Sequence, residues 1–153
     1  MEFFTNKLEL LACDQERFIH YSESYTMGPH IEKYLEKLNE DPLEEGWGVW
    51  FIILKETREV VGDIGFKGSP DLKGNVEIGY GVSPMHQGKG YATEAVAGII
   101  YWAFETGAVK QITAECLNDN FASIRVLEKT GMQRTCFDGD MLYWSLDAAD
   151  WAD

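Results

Sequence analysis

The sequence predicts a single-domain, three-layer α/β fold with a mixed sheet, and three observations carry that expectation. Strand-like and helix-like patterns alternate along the chain, with no low-complexity linker and no internal repeat. The 153 residues are 45% hydrophobic and 13% aromatic, which suffices for one core and is too apolar for a disordered chain. A strand pattern beginning at Val76 runs into a glycine-rich turn at Gly88 and Gly90 and then into a long apolar helix, the local arrangement of a phosphate cradle.

Taken in order, Leu8-Glu9-Leu10-Leu11-Ala12 reads as a first strand, followed by short helical stretches around Gln15 to Glu23 and Ile31 to Asn39. In the second stretch Ile31, Tyr34, Leu35 and Leu38 share one helical face. Trp47 to Leu54 and Val60 to Phe66 read as strands joined in a hairpin near Glu56-Thr57-Arg58, and Val76 to Val82 as the fourth strand. From Tyr91 to Phe104, Ala95, Val96, Ile99, Ile100 and Ala103 recur at helical spacing, so this helix packs a long apolar face on the sheet. Gln111 to Leu117 is the fifth strand, and Phe121 to Lys129 is a helix stopped by Gly131. Met132 to Phe137 and Met141 to Leu146 form a last hairpin that turns at Asp138-Gly139-Asp140. The acidic tail Asp147 to Asp153, which contains Trp151, is left open between frayed and docked.

Composition narrows the function classes. Thirteen basic residues against 26 acidic ones give a net charge of −13, so a nucleic-acid partner is not expected. The same field attracts a cationic amine, and Glu40, Asp41, Glu44 and Glu45 concentrate charge in one loop, although a solvated acidic surface accounts better for any single one of them. Cys13, Cys116 and Cys136 are odd in number and far apart, which suits reduced buried thiols, and His20, His30 and His86 are scattered, so no metal site is expected. No signal peptide and no membrane-spanning run is apparent, and a cytoplasmic protein without a membrane partner is expected.

The cradle can be specified further. A dinucleotide fingerprint needs a third glycine where Thr93 stands, and a nucleoside-triphosphate loop needs Ser or Thr where Gly90 follows Lys89. Gln87-Gly88-Lys89-Gly90-Tyr91-Ala92 instead matches Gln/Arg-x-x-Gly-x-Gly/Ala, the coenzyme A pyrophosphate motif of the GNAT acetyltransferase superfamily. Glu77-Ile78-Gly79-Tyr80 and Val82-x-Pro84 upstream, with Asn120-x-x-Ser123-x-x-Val126-Leu127-Glu128-Lys129-x-Gly131-Met132 downstream, resemble the branch related to ribosomal-protein N-terminal acetyltransferases. The resemblance is specific from about Val76 to Met132. It implies a mostly antiparallel sheet splayed between the fourth and fifth strands, with acetyl-CoA as cosubstrate and no metal.

It also implies site residues. Val82 and Ser83 match the strand positions that pair with the pantetheine arm, with the N–H of Val82 on the acetyl carbonyl; Val82 also reads as an ordinary buried strand residue. Gln87, Gly88, Lys89, Gly90, Tyr91 and Ala92 match the pyrophosphate cradle, and Lys89 also reads as a solvated loop lysine. Asn120 matches the side chain placed on the pantetheine backbone, and it suits a plain helix N-cap equally. Ser123 matches a residue near the coenzyme sulfur, where it can return a proton to the thiolate. Many members carry a tyrosine acid four positions later, where this chain has Leu127.

Glu77 is the candidate general base on the residues themselves. Along the fourth strand it shares its face with Gly79 and Gly81, which leaves a groove beside a carboxylate, though a structural acid bonded to a neighbour fits the same pattern. The function expected is N-acetyl transfer from acetyl-CoA directly to a primary amine, of a small molecule or a protein N-terminus. The alternatives are a non-catalytic acetyl-CoA sensor and an acidic interaction module with an empty cradle. Acceptor choice is expected to lie between Tyr21 and Gly46 and in the last hairpin, and the sequence leaves oligomeric state open.

Overall fold

The structure is a computed structural model and describes residues 1–151. Its strands are β1 (Glu2–Phe4), β2 (Leu8–Ala12), β3 (Val49–Leu54), β4 (Val60–Phe66), β5 (Asn75–Val82), β6 (Gln111–Leu117), β7 (Gln133–Asp138) and β8 (Met141–Asp147). The helices are α1 (Gln15–Tyr21), α2 (Pro29–Glu40), α3 (Tyr91–Glu105), α4 (Phe121–Lys129) and α5 (Ala148–Trp151), with 3-10 turns at Pro42–Glu44 and Pro84–His86.

Local chemistry sets the boundaries. In α2, Pro29 occupies the first turn, where its missing N–H costs nothing, and the helix ends at an extended Asp41 ahead of Pro42. Asn120 caps α4 by accepting a hydrogen bond from the Ser123 N–H at 3.1 Å. The same helix stops at Gly131, whose φ of +90° lets the Met132 N–H reach back to the Leu127 carbonyl. Strand β3, Val-Trp-Phe-Ile-Ile-Leu, is buried on both faces, which is why it reads as a continuous apolar run.

The eight strands form one sheet in the order β1-β2-β3-β4-β5-β6-β8-β7, antiparallel throughout except between β5 and β6. Val96, Ile99, Ile100 and Phe104 of α3, with Val126 and Leu127 of α4, pack one face against Leu10, Trp50, Ile64, Ile78 and Ile112. Ile31 and Tyr34 of α2 cover Leu11, Phe51 and Ile53 on the other. Two helical layers thus enclose the sheet, as the alternation of patterns required.

Four details differ from the sequence reading or complete it. The three-residue strand β1, too short to show a period, pairs Glu2 with Leu11 at the sheet edge, so the expected fourth and fifth strands are β5 and β6. Strand β7 is exposed along its whole length at the opposite edge. It carries Cys136 into solvent, contrary to the buried thiol expected, whereas burial pushes the Cys13 thiol up to about 12. The tail docks: the Trp151 ring lies 5.1 Å from Phe104 and 5.7 Å from Tyr101 between centroids, and Ala152 and Asp153 lie outside the described residues. Among the described residues no helix is long and apolar enough to cross a membrane.

Candidate active site

The parallel pairing of β5 with β6 is brief. Asn75, Val76 and Glu77 face Gln111, Ile112 and Thr113, and beyond Glu77 the two strands part. The Ser83 N–H donates to the Val61 carbonyl at 2.8 Å and the Glu77 carbonyl accepts from the Lys67 N–H at 2.9 Å, which fixes the alternation along β5. Odd-numbered residues turn their N–H groups to β4. Ile78 belongs to the last rung of the pairing with β6, and beyond it the N–H groups of Tyr80 and Val82 point into the gap, two donors with no strand opposite. The Val82 N–H faces the gap, whereas the Ser83 N–H is committed to the sheet.

The gap leads to the glycine turn. Gln87 donates its side-chain amide to the Val82 carbonyl at 2.9 Å, so this residue shapes the turn. Gly88 and Gly90 both have positive φ, +77° and +83°, and a Cβ built on either meets nothing within 4 Å, so the turn opens on empty space. Gly90 begins α3 without a side-chain cap, which leaves the first N–H groups of the helix, from Tyr91 and Ala92 onward, facing that space. Lys89 is exposed beside them. Glu94, in the first turn, accepts hydrogen bonds from the Thr5 hydroxyl and the Lys7 N–H and so anchors the β1–β2 loop to α3.

Across the gap, Ser123 is half-buried on the first turn of α4, with Asn120 engaged as its cap. Leu127 is 1% exposed and belongs to the core. Tyr80 brings a hydroxyl instead. Its side chain lies on the α3/α4 face of β5, and its hydroxyl oxygen is buried without a hydrogen-bond partner. Burial raises the phenol pKa, and the nearby Ser123 hydroxyl, close but not hydrogen-bonded, only tempers the shift. A buried orphan hydroxyl costs about 1–3 kcal/mol, so its retention beside Ser123 and Cys116 calls for a reason. From sequence Tyr80 stands only within the Glu77-Ile78-Gly79-Tyr80 resemblance, with no role of its own; the available signal was a hydroxyl among the apolar positions of that face.

The opposite face of β5 floors a cavity of about 530 Å³ beneath α2. Gly65 faces Gly79 and Asp63 faces Gly81 in register. A Cβ on Gly65 would lie 1.6 Å from the Gly48 carbonyl, so tight strand packing requires glycine there. On Gly81 a Cβ would meet nothing within 4 Å, so there the missing side chain is open groove. Asp63 accepts from the Tyr25 hydroxyl at 2.5 Å and pairs with His30 Nε2 at 2.8 Å. Trp47 borders the cavity and also stacks in the core against Phe66 and Trp102, so it serves packing and lining together.

Glu77 stands at the rim. Its carboxylate pairs with Lys67 Nζ at 2.5 Å, and Glu115 lies 3.8 Å from the same ammonium. The hydrogen bond to Glu77 is the main reason the Lys67 pKa is raised. The Glu77 side chain is 34% exposed and lines an adjoining cavity of about 340 Å³ with Thr113, Glu115 and Tyr143. The fold therefore brings the expected coenzyme residues together along the gap and places Glu77 on the face opposite Ser123. Asp63, His30 and Tyr80 were not singled out from sequence. Among the described residues no group of three or more His, Cys, Asp or Glu side chains is arranged to hold a metal ion.

A gap between parallel strands continuous with an uncapped helix start defines the class. Residues 5–133 match the acetyltransferase (GNAT) domain family, and the chain belongs to it. Among curated proteins it is 38% identical over 110 residues to YjdG of Bacillus subtilis, an uncharacterized N-acetyltransferase, covering 72% of this chain and 64% of that protein. It is 31% identical over 88 residues to the ribosomal-protein-serine acetyltransferase of Escherichia coli, covering 58% of this chain and 49% of the relative. The matched stretch thus spans between about half and just under two thirds of these relatives. Of solved structures, a GNAT acetyltransferase of Bacillus anthracis superposes with a TM-score of 0.72 at 24% identity, over 97% of this chain and 99% of that one. The ribosomal L7/L12 acetyltransferase RimL, in complex with coenzyme A, gives 0.74 at 15% identity over 95% and 97%.

Proposed function

We propose that the protein transfers an acetyl group from acetyl-CoA directly to a primary amine, of a small molecule or a protein N-terminus. The observation that carries this reading is the ladder of unpaired β5 N–H groups running from the gap into the uncapped start of α3. The residues present fit the coenzyme: open space lies over Gly88 and Gly90, donors face it, and the Tyr80 hydroxyl lacks a partner. Acetyl-CoA, when bound, supplies the activated thioester, and such a donor suits a cytoplasmic protein.

The chain's own residues then divide the work. Backbone N–H groups from Gly88 to Ala92, with Lys89, hold the pyrophosphate, while Gln87 keeps the turn in place. Val82 donates its N–H to the acetyl carbonyl, with Tyr80 next on the same ladder, and these fixed dipoles favour the charge that develops on that oxygen. Asn120 and Ser83 border the pantetheine arm. The amine enters over Gly79 and Gly81 and loses its proton to Glu77 through water, a role that requires Lys67 to lean toward Glu115. Ser123, with Tyr80 beside it, returns a proton to the sulfur; the raised phenol pKa keeps Tyr80 protonated for that purpose. A second reading, a coenzyme-binding module without turnover, draws on the engagement of Glu77 by Lys67 and on Leu127 in place of a tyrosine.

Thermal unfolding with and without saturating acetyl-CoA tests the site. At 100 times the dissociation constant the ligand adds about 2.7 kcal/mol, and replacing Gly88 and Gly90 with valine removes that gain. Thiol release with a panel of amines then separates the two readings, since a sensor is stabilised by coenzyme yet releases no thiol above hydrolysis. A folded protein that acetyl-CoA does not stabilise refutes both.

A further inference from the structure

We infer that the acceptor is an amine that also carries an anionic group, held by Lys33 and Lys37 over the glycine floor. The inference rests on the acetyl-transfer reading above and names the acceptor class for that site. Although the chain carries 26 acidic residues against 13 basic ones, the cavity under α2 inverts that balance. Lys33, Lys37, Lys67 and His30 line it, against Asp63 and Glu44. Two of these groups are paired: Lys67 with Glu77, and Asp63 with His30. Glu44 accepts only from the neutral Ser69 hydroxyl, at 3.0 Å. The charges left without an ion pair among the described residues are Lys33 and Lys37, both exposed, against the single carboxylate of Glu44.

Their placement on the helix reinforces the point. Lys33 and Lys37 are four apart, so they lie on one face with like charges adjacent, an arrangement that disfavours an isolated helix. Glu32 and Glu36, the immediate neighbours in sequence, do not line the cavity. His30, three residues before Lys33, occupies the same face over Asp63, opposite Gly81. Asp63 of β4 and Lys67, just beyond the end of that strand, lie on one face four residues or about 13 Å apart, and so span the length of the floor. An amine over Gly79 and Gly81 leaves the rest of its molecule under this lysine face. The acidic surface as a whole favours a polycation, but the wall the acceptor touches does not.

Three amines with the same carbon chain and different tails test the inference: 6-aminohexanoate, hexylamine and 1,6-diaminohexane, titrated calorimetrically into the coenzyme A-loaded protein. The expected order is 6-aminohexanoate tightest, by about tenfold over hexylamine, with the diamine weakest. In Lys33→Gln/Lys37→Gln the three converge, and in Lys33→Glu/Lys37→Glu the diamine becomes the tightest. Retained stabilisation by acetyl-CoA shows that both variants are folded. A diamine preference in the unaltered protein, an order insensitive to charge reversal, or no binding by any of the three overturns the inference. Thiol release with the same amines is read separately. Release indifferent to tail charge refutes the acceptor class and leaves acetyl transfer standing, whereas charge-ordered binding without release refutes acetyl transfer and upholds the anion-binding wall.

Discussion

The two sides of β5 are built on opposite plans. Toward α3 and α4 the strand presents Ile78, Tyr80 and Val82, with large side chains packed into the core and, beyond the last rung to β6, the N–H groups of Tyr80 and Val82 turned into the gap. Toward α2 it presents Gly79 and Gly81, which contribute emptiness. In the proposed reading the first side binds through backbone, so its chemistry is the same whatever side chains evolve there, and the second is a floor whose specificity must come from the wall opposite, α2 and β4. One strand can therefore hold a fixed donor and a variable acceptor, because alternation sends the two to different faces.

The sharpest way to break this division is to remove the acid that joins the halves. Glu77→Gln is expected to lower kcat/KM by about 100-fold or more and to abolish the acid limb of its pH profile, since only a deprotonated carboxylate accepts the amine's proton. Stabilisation by acetyl-CoA stays unchanged. If the limb persists in Glu77→Gln and disappears in His30→Gln, the base is the imidazole paired with Asp63, 2.8 Å away. Gly81→Val acts on the floor alone. A β-branched residue suits a strand and its Cβ meets no atom within 4 Å, so the fold stands while the groove is filled. A loss of about 100-fold in kcat/KM for the amine, with coenzyme stabilisation intact, is expected. Loss of both together would show that the two faces are not independent.

The same contrast explains what could be read in advance. The proposed coenzyme side is legible as local structure because its parts are contiguous: Gln87 to Ala92 is one turn and helix start, and Asn120 to Gly131 is one capped helix. The splay follows from a local event, the end of pairing at Glu77 and Thr113. The acceptor side is assembled from residues that meet only in three dimensions. Asp63 is a mid-strand acid with no local mark, and its partners Tyr25 and His30 come from a connection and a helix start more than 30 residues earlier. Lys33 and Lys37 likewise carry no local mark, and only the placement of α2 over the glycines brings them to the cavity. Asn120 shows the converse, since both readings available from sequence predict an asparagine and the cap is the one the free protein displays.

The smallest expected effect concerns the proton returned to sulfur. A thiol with a pKa near 8.5 is a tolerable leaving group, so an acid beside it contributes modestly. Tyr80→Phe is expected to lower kcat by about tenfold, because a general acid typically supplies more than this only when the leaving group is poor. Ser123→Ala alone should cost a similar factor, and the double variant less than the product of the two, since the hydroxyls adjoin and serve one atom. The substitution also removes an orphan buried hydroxyl, so Tyr80→Phe should leave the thermal midpoint equal or raised while turnover falls. That opposition of stability and activity is the signature of a group kept unpaired for a ligand. A lowered midpoint with unchanged kcat would instead make Tyr80 a packing residue and leave Ser123 the lone proton donor of the coenzyme side.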